Sequence, residues 1–202
     1  MSDRRNRKTD QAIFQALQTI TEETPLSRIT VSAVAREANI TRKTFYDHFP
    51  TVLDAYQAFL DSVVDEIAEK TERDWQSAAE SDIVYSPVEE TELRLRFFLG
   101  NVRILIESQA LGSRQRNRRI TQEEQIALLS RPFLKHVENG LLGDPARFGD
   151  EIALVSEFVL AGMLWMYRRW LLSERSDSFY EAQLRVCRLI MGGLREFDNS
   201  RE

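Results

Sequence analysis

At 202 residues the chain has room for one large domain or two small ones, with ample core. Its 43% hydrophobic and 29% charged residues fit a soluble globular protein, and no apolar run reaches the ~20 residues of a membrane span, the best being Phe158 to Tyr167. The net charge of −5 is uneven: residues 1–50 hold 8 Lys+Arg against 6 Asp+Glu, giving +2, and the other 152 hold 19 against 26, giving −7. This hints at an anion-facing N-terminal end on an acidic body.

The basic N-terminus runs straight into polar residues, so no secretory leader is expected. The lone cysteine, Cys187, excludes an internal disulfide and suits a reducing cytoplasm. Taken in order, almost every periodic stretch reads as helix and none alternates long enough for a strand. The first helix is expected from about Thr9 to Glu23, with Ile13, Phe14, Leu17 and Ile20 on one face and Thr24-Pro25 as its stop. A second starts at Thr30, a good N-cap, and carries Val31, Val34, Ala35 and Ala38. Asn39-Ile40-Thr41 makes a short turn, since Asn tolerates the left-handed conformation that ends helices. Thr41 caps a third helix that ends at Phe49-Pro50. Thr51-x-x-Asp54, with the form of a capping box, opens a fourth that keeps Val52, Tyr56, Phe59, Val63 and Ile67 on one face.

Later starts carry the same sign in Ser86-Pro87-x-Glu89, Thr121-x-x-Glu124 and Ser178-x-x-Glu181. Pro132 is expected to kink or break a body helix. Two long helices, about 150–172 and 179–197, close the chain. The sum is about nine helices and an all-α fold.

The third helix is unusual. At about 100° per residue, Phe45 and Phe49 share an inward stripe, while Lys43 and Asp47 point the opposite way. Thr44 and Tyr46 flank them, and Arg42 sits in the first turn. Two rings thus anchor a helix whose outer face is cationic, hydroxylic and aromatic. With the turn and short helix before it, this is the helix-turn-helix arrangement, whose second helix enters the DNA major groove.

Thr30-Val31-x-x-Val34-Ala35-x-x-Ala38-Asn39-Ile40-Thr41-x-x-Thr44-Phe45-Tyr46-x-His48-Phe49 resembles the helix-turn-helix signature of the TetR family of bacterial transcription regulators. The likeness covers about residues 7–67; the apolar helices ending in "WMYRRWL" and "LIMGGL" look like that family's less distinctive body. It implies an N-terminal arm over 1–8, a DNA-binding domain over 9–67 and a ligand-binding and dimerisation domain over 68–202. It also implies roles for single residues. Arg42, Lys43, Thr44 and Asp47 would read bases or adjacent phosphates. Tyr46, His48 and Thr41 would grip the backbone, and Thr30 and Ser32 would add contacts. Arg4, Arg5, Arg7 and Lys8 would form a basic arm in or along a neighbouring groove. The chemistry agrees with each role. Cations and hydroxyls position a protein on phosphates, and Arg or Lys reaching guanine conveys sequence. Asp47 is the odd member, able to accept from a cytosine amino group or to orient Lys43.

Two departures stand out. Asn39 replaces the usual glycine of the turn. Val52 stands where the family often has a phosphate-binding lysine, which leaves backbone N–H groups at that helix start as the substitute.

Other chemistry finds little support. His48 and His136 are the only histidines and Cys187 has no partner at ligand spacing, so neither metal nor cofactor is expected. The first 99 residues hold no glycine, which removes a phosphate-cradling loop, and no serine stands in a nucleophile elbow, so an enzyme is not expected. The basic run at residues 113–119 reads as a solvated loop. For the last two helices, Val155, Phe158, Val159, Gly162, Met163, Met166 and Trp170 are expected on or near one face of the first. Ala182, Val186, Leu189, Ile190, Gly193 and Phe197 are expected on one face of the second. These faces suit a homodimer through about 150–197, built as a four-helix bundle across a two-fold axis.

By the resemblance, the helices over about 87–142 would wall a pocket for an unknown small-molecule effector. Candidate lining residues are Trp75, Phe97, Phe98, Arg103, Phe133, His136, Trp165 and Tyr167, each of which also fits a core position. The function implied is a cytoplasmic, homodimeric repressor released from a palindromic double-stranded operator by its effector. The alternative is a TetR-like adaptor or coactivator governed by a protein partner.

Overall fold

The computed structural model describes residues 2–21, 23–80, 83–107, 122–172 and 179–199. Eight α-helices follow one another: α1 Ser2–Thr21, α2 Val31–Glu37, α3 Arg42–His48, α4 Val52–Ala79, α5 Pro87–Glu107, α6 Gln122–Glu138, α7 Ile152–Leu172 and α8 Phe179–Asn199. Short 3-10 turns among the described residues stand at Leu26–Arg28, Pro145–Arg147 and Gly149–Glu151. There is no strand among the described residues, and the fold is all-α. Among the described residues the count is close to the roughly nine helices expected.

The N-terminal segment read as a separate arm is the opening of α1, which begins at Ser2 rather than near Thr9. Residues 2–8 hold no apolar side chain, so hydrophobic periodicity had nothing to register there. The helix stops as expected before Pro25, with the N–H groups of Glu23 and Thr24 both reaching the Ile20 carbonyl. Helix α4 runs 28 residues, well past the apolar stripe that marks its start. Packed against α1 at one end and against α5 and α6 along its body, it joins the two halves of the molecule. Helices α6, α7 and α8 complete the body, with α6 along α7 and α5 and α7 on α8.

Several polar residues at helix starts and between helices are paired. Ser86 and Glu89 form the anticipated reciprocal cap of α5, Glu89 Oε2 accepting from the Ser86 N–H at 2.8 Å and from its hydroxyl at 2.7 Å. Pro132 does not break α6, which runs through it from Gln122 to Glu138. Proline has no N–H, so the Leu128 carbonyl four residues earlier lacks its helical donor. Gln57 of α4 supplies one: its Nε2 donates to that carbonyl at 2.9 Å and to Asp61 Oδ1 at 2.8 Å. Two turns further along the same stripe of α4, Asp65 receives Lys135 at 3.1 Å and His136 at 2.6 Å from α6. Burial pushes the Asp65 carboxyl up, but the hydrogen bonds and charges of His136 and Lys135 outweigh it and leave the group below its ordinary range. A polar seam thus clips the long connecting helix to the body.

Candidate nucleic-acid interface

The turn before α3 is built by backbone geometry that only a few residues accept. Asn39 has φ +53°, the left-handed conformation expected of it. That conformation lets the Asn39 N–H reach the Arg36 carbonyl at 3.2 Å and the Ile40 N–H reach the Ala35 carbonyl at 2.9 Å. The pair of bonds is the Schellman closure of α2. Thr30 and Thr41 cap the two helices on either side, accepting from the N–H of Ala33 at 3.2 Å and of Thr44 at 3.0 Å. The Thr41 and Thr44 hydroxyls also meet each other at 2.9 Å.

Helix α3 has only seven residues and would not persist alone. Rings hold it. Phe45 is fully buried, Phe49 lies 6.2 Å from it, and Phe14 of α1 bridges Phe49 at 6.0 Å to Phe59 of α4 at 5.8 Å. Both phenylalanines therefore take the inward role assigned to them, and the opposite side is open. Arg42, Lys43 and Asp47 are exposed, and Tyr46 is 51% exposed with its ring edge-on to Phe45. Thr41, Thr30 and Ser32 are exposed as well, and Thr44 is half-buried. Arg7 and Lys8 lie exposed on α1, while the side chains of Arg4 and Arg5 lie outside the described residues. Two further exposed cations on the head, Arg28 and Arg36, carry no motif signal and were not singled out.

His48 differs from its neighbours. Its Nδ1 lies 2.7 Å from Asp10 Oδ1 of α1 and its side chain is 14% exposed, so it is tied inward rather than free on the surface. At the start of α4, Thr51 accepts from the Asp54 N–H at 3.1 Å and donates to Asp54 Oδ2 at 2.6 Å. One of the N–H groups expected to replace the missing lysine is thus occupied, with a carboxylate beside it. Val52 is half-buried and Leu53 exposed, so neither side chain offers a charge there.

Of the body residues proposed as pocket lining, the described ones stand at several separate places, apart from one pair. Phe98 and Phe133 are core, with rings 5.3 Å apart. Phe97 is half-buried. The Trp75 ring lies under the Arg94 guanidinium at 4.6 Å and beside Tyr85 at 5.6 Å. Arg94 is itself held by Glu72 and Glu90, each at 2.7 Å. His136 belongs to the seam with Asp65. Trp165 is 52% exposed on the outside of α7, with Arg169 5.3 Å over its ring, and does not face an interior. The side chains of Arg103 and Tyr167, the basic run at 113–119 and the caps at Thr121 and Ser178 lie outside the described residues.

The reason for the Trp165 placement is that α7 is apolar on two sides. Val155, Val159, Met163 and Met166 face the core, whereas Leu154, Phe158 and Trp165 recur on the other side and are each more than half exposed. Reading one face merged the two. On α8, Cys187, Ile190, Met191 and Leu194 are buried and Leu189 is exposed. Burial pushes the Cys187 thiol up, away from thiolate reactivity. Among the described residues no group of three or more His, Cys, Asp or Glu side chains is placed to hold a metal, and no helix is long and apolar enough to cross a membrane.

No family model matches the chain, and no curated protein matches it in sequence. Solved structures do match it over nearly its whole length. A TetR-family transcription regulator from Shewanella sp. PV-4 superposes with a TM-score of 0.62 at 14% identity, covering 92% of this chain and 97% of that one. NalD, the secondary repressor of the MexAB-OprM multidrug efflux pump in Pseudomonas aeruginosa, gives 0.55 at 18%, over 96% and 98%. RolR bound to resorcinol gives 0.53 at 17%, over 94% and 95%. At such identities the likeness is one of fold, and that fold is the one found in TetR-family regulators.

Proposed function

From that fold, we propose that the chain is a sequence-specific DNA-binding transcriptional regulator rather than an enzyme, working in the cytoplasm as a homodimeric repressor. One observation carries the DNA part. Arg42, Lys43, Tyr46 and Asp47 form an exposed face on a two-capped helix that Phe45 anchors to the core. Such a face suits phosphates and base edges, with Arg42 or Lys43 on guanine worth about 1–3 kcal/mol of discrimination for a good bidentate contact. Thr41, Thr44 and Tyr46 supply backbone contacts, and Thr30, Ser32, Arg7 and Lys8 extend them; Arg4 and Arg5 precede these on α1.

Dimerisation through about 150–197 is supported by the outer stripe of Leu154, Phe158, Trp165 and Leu189. A helix apolar nearly all round wants cover on both sides. A second copy covers the stripe symmetrically and sets two α3 helices about one DNA turn (~34–36 Å) or a multiple apart. Because Leu154, Phe158, Trp165 and Leu189 recur on these two helices, their stripe is assigned to a copy of the chain rather than to an adaptor's partner. For the effector, a small molecule is favoured by analogy with RolR, which binds resorcinol. Its capture between α4 and α6 or within the body would shift the spacing of the two heads away from the DNA-competent one.

The test is selection of bound duplex from a random pool, repeated with Arg42→Ala and Lys43→Ala. The wild-type pool should converge on a palindrome, and at least one variant should relax a defined position in each half-site. Unchanged preferences in both variants would remove the specificity assignment, and no enrichment at all would remove the regulator reading.

A further inference from the structure

We propose that two copies of the chain meet with their α7 helices crossed antiparallel at Ala161 and Gly162, so that Phe158 of each copy packs on the partner's Trp165. The inference rests on the homodimer reading above and adds to it the crossing point, the direction and the residue pairs.

The outer side of α7 is symmetric about its middle. Leu154, Phe158, Ala161, Trp165 and Arg169 stand four, three, four and four residues apart. At about 100° per residue all five fall within about 80° of one another. At the centre Ala161 and its neighbour Gly162 are small and half-buried. Three residues before Ala161 comes the Phe158 ring and three after Gly162 the Trp165 ring, each more than half exposed. Four residues further out on either side lie Leu154 and Arg169, both exposed. A half-turn about the midpoint of Ala161 and Gly162 therefore exchanges Phe158 with Trp165 and Leu154 with Arg169.

A two-fold contact requires that kind of symmetry. In an isologous interface one residue meets a second and the second meets the first, so matching groups must trade places about the axis. Helices approach most closely, to about 8 Å between axes, where the side chains at the crossing are small. Ala161 and Gly162 supply that point, and the rings on either side fill the space that opens as the helices diverge. The Arg169 guanidinium covers one face of the Trp165 ring at 5.3 Å, and the partner's Phe158 takes the other. Such ring pairs add to what their buried area contributes.

Helix α8 prepares the same surface. A Cβ at Gly193 would come to 3.7 Å from Phe158 Cε1, so the Phe158 ring lies against an exposed glycine of α8 and is held there before a partner arrives. Leu189, one turn before Gly193, extends the apolar surface beside it.

Charge sets the direction. The turn before α7 and its first half carry Asp150, Glu151 and Glu157, all exposed, and its last turn carries the exposed Arg169. An antiparallel crossing lays the acidic end of each copy beside the basic end of the other and opposes the two helix dipoles. A parallel crossing would join like with like.

The experiment uses the full chain carrying Cys187→Ser and one new cysteine at a time along α7. Each protein is oxidised mildly and scored for disulfide-linked dimer, while sedimentation reports whether a dimer forms. With about 1.5 Å of rise per residue, this crossing leaves position 161 and its own copy about 2 Å apart along the helix, position 158 about 10 Å and position 154 about 22 Å. A disulfide needs Cα atoms within about 7 Å. Ala161→Cys and Gly162→Cys should therefore link to their own copies about tenfold or more faster than Leu154→Cys or Arg169→Cys. Phe158→Cys mixed with Trp165→Cys should link faster than either protein alone. Bulk at the crossing gives a second readout that needs no cysteine. Ala161→Phe should weaken dimerisation about tenfold or more with helical content kept, while Ala153→Phe, exposed off the stripe, should not.

Equal self-linking at 154, 158, 161 and 165 would mean parallel helices and would overturn the proposal. So would a maximum more than one turn from 161, a sedimenting dimer that links at none of these positions, or an Ala161→Phe protein that pairs as tightly as wild type. If the wild type sediments as a monomer at every concentration, the homodimer reading falls, and the inference falls with it.

Discussion

Helices α3 and α7 both turn one side to the outside, and the two sides are chemical opposites. Helix α3 is seven residues long and shows Arg42, Lys43, Tyr46 and Asp47. Helix α7 is 21 residues long and shows Leu154, Phe158 and Trp165. The short helix depends on outside help, from the Thr41 cap, the Schellman closure before it and the Phe45 anchor. The long one needs no such help to form, and its excess apolar surface is what remains uncovered. A polar outer face built on a buried ring suits a hydrated, charged surface such as a duplex. An apolar outer face suits another protein surface of the same kind. On the proposed reading, the contrast divides the molecule into a part held rigid to meet DNA and a part that a second copy completes.

The strongest way to break the contrast is at the anchor. Phe45→Ala empties a fully buried site and should cost about 3–5 kcal/mol. The head should lose amide-exchange protection and DNA binding while α5 to α8 stay protected. A variant that still bound its duplex would show that α3 does not depend on its ring. At α7, Phe158→Asp places a charge on the apolar stripe, and loss of an interface anchor costs about 2 kcal/mol or more. Sedimentation should report a monomer, with the helical content kept. A dimer of undiminished affinity would move the interface elsewhere.

The third test sharpens the link between the two regions. Gln57→Leu leaves the Leu128 carbonyl without the donor that makes up for Pro132, at a cost of about 1–3 kcal/mol. Adding Pro132→Ala restores a backbone N–H within α6 and should recover most of that loss in denaturant unfolding. If the two changes simply add, the side chain of Gln57 is not serving that carbonyl.

Much of the head was legible because its signals are local. Thr30 and Thr41 cap within three residues of themselves, as Ser86 and Glu89 do in the body, and Asn39 announces its own conformation. The inward pair of α3 follows from helical spacing alone. What escaped depends on residues distant in the chain. Nothing near Asp10 points to His48, and nothing near Gln57 points to a proline on another helix. The start of α1 escaped because a wholly polar helical turn has no apolar rhythm. Trp165 escaped for the reverse reason: on a helix with apolar residues on two sides, spacing cannot say which side is inside. Of the six pocket candidates that are described, Phe98 and Phe133 pair in the core while Trp75, His136 and Trp165 stand elsewhere, since aromatic residues mark cores as readily as binding walls.

The paired hydroxyls of Thr41 and Thr44 deserve a last consequence. They lie 2.9 Å apart, and the oxygen of Thr41 already receives the Thr44 amide, so one hydroxyl proton is shared between the two oxygens and a single one remains to point away. Which residue offers it is settled by a small rotation of both O–H bonds. The start of α3 is therefore a reversible pair: turned one way, position 44 donates, and turned the other it accepts. The same backbone can thus present either polarity at the outer end of α3 without moving.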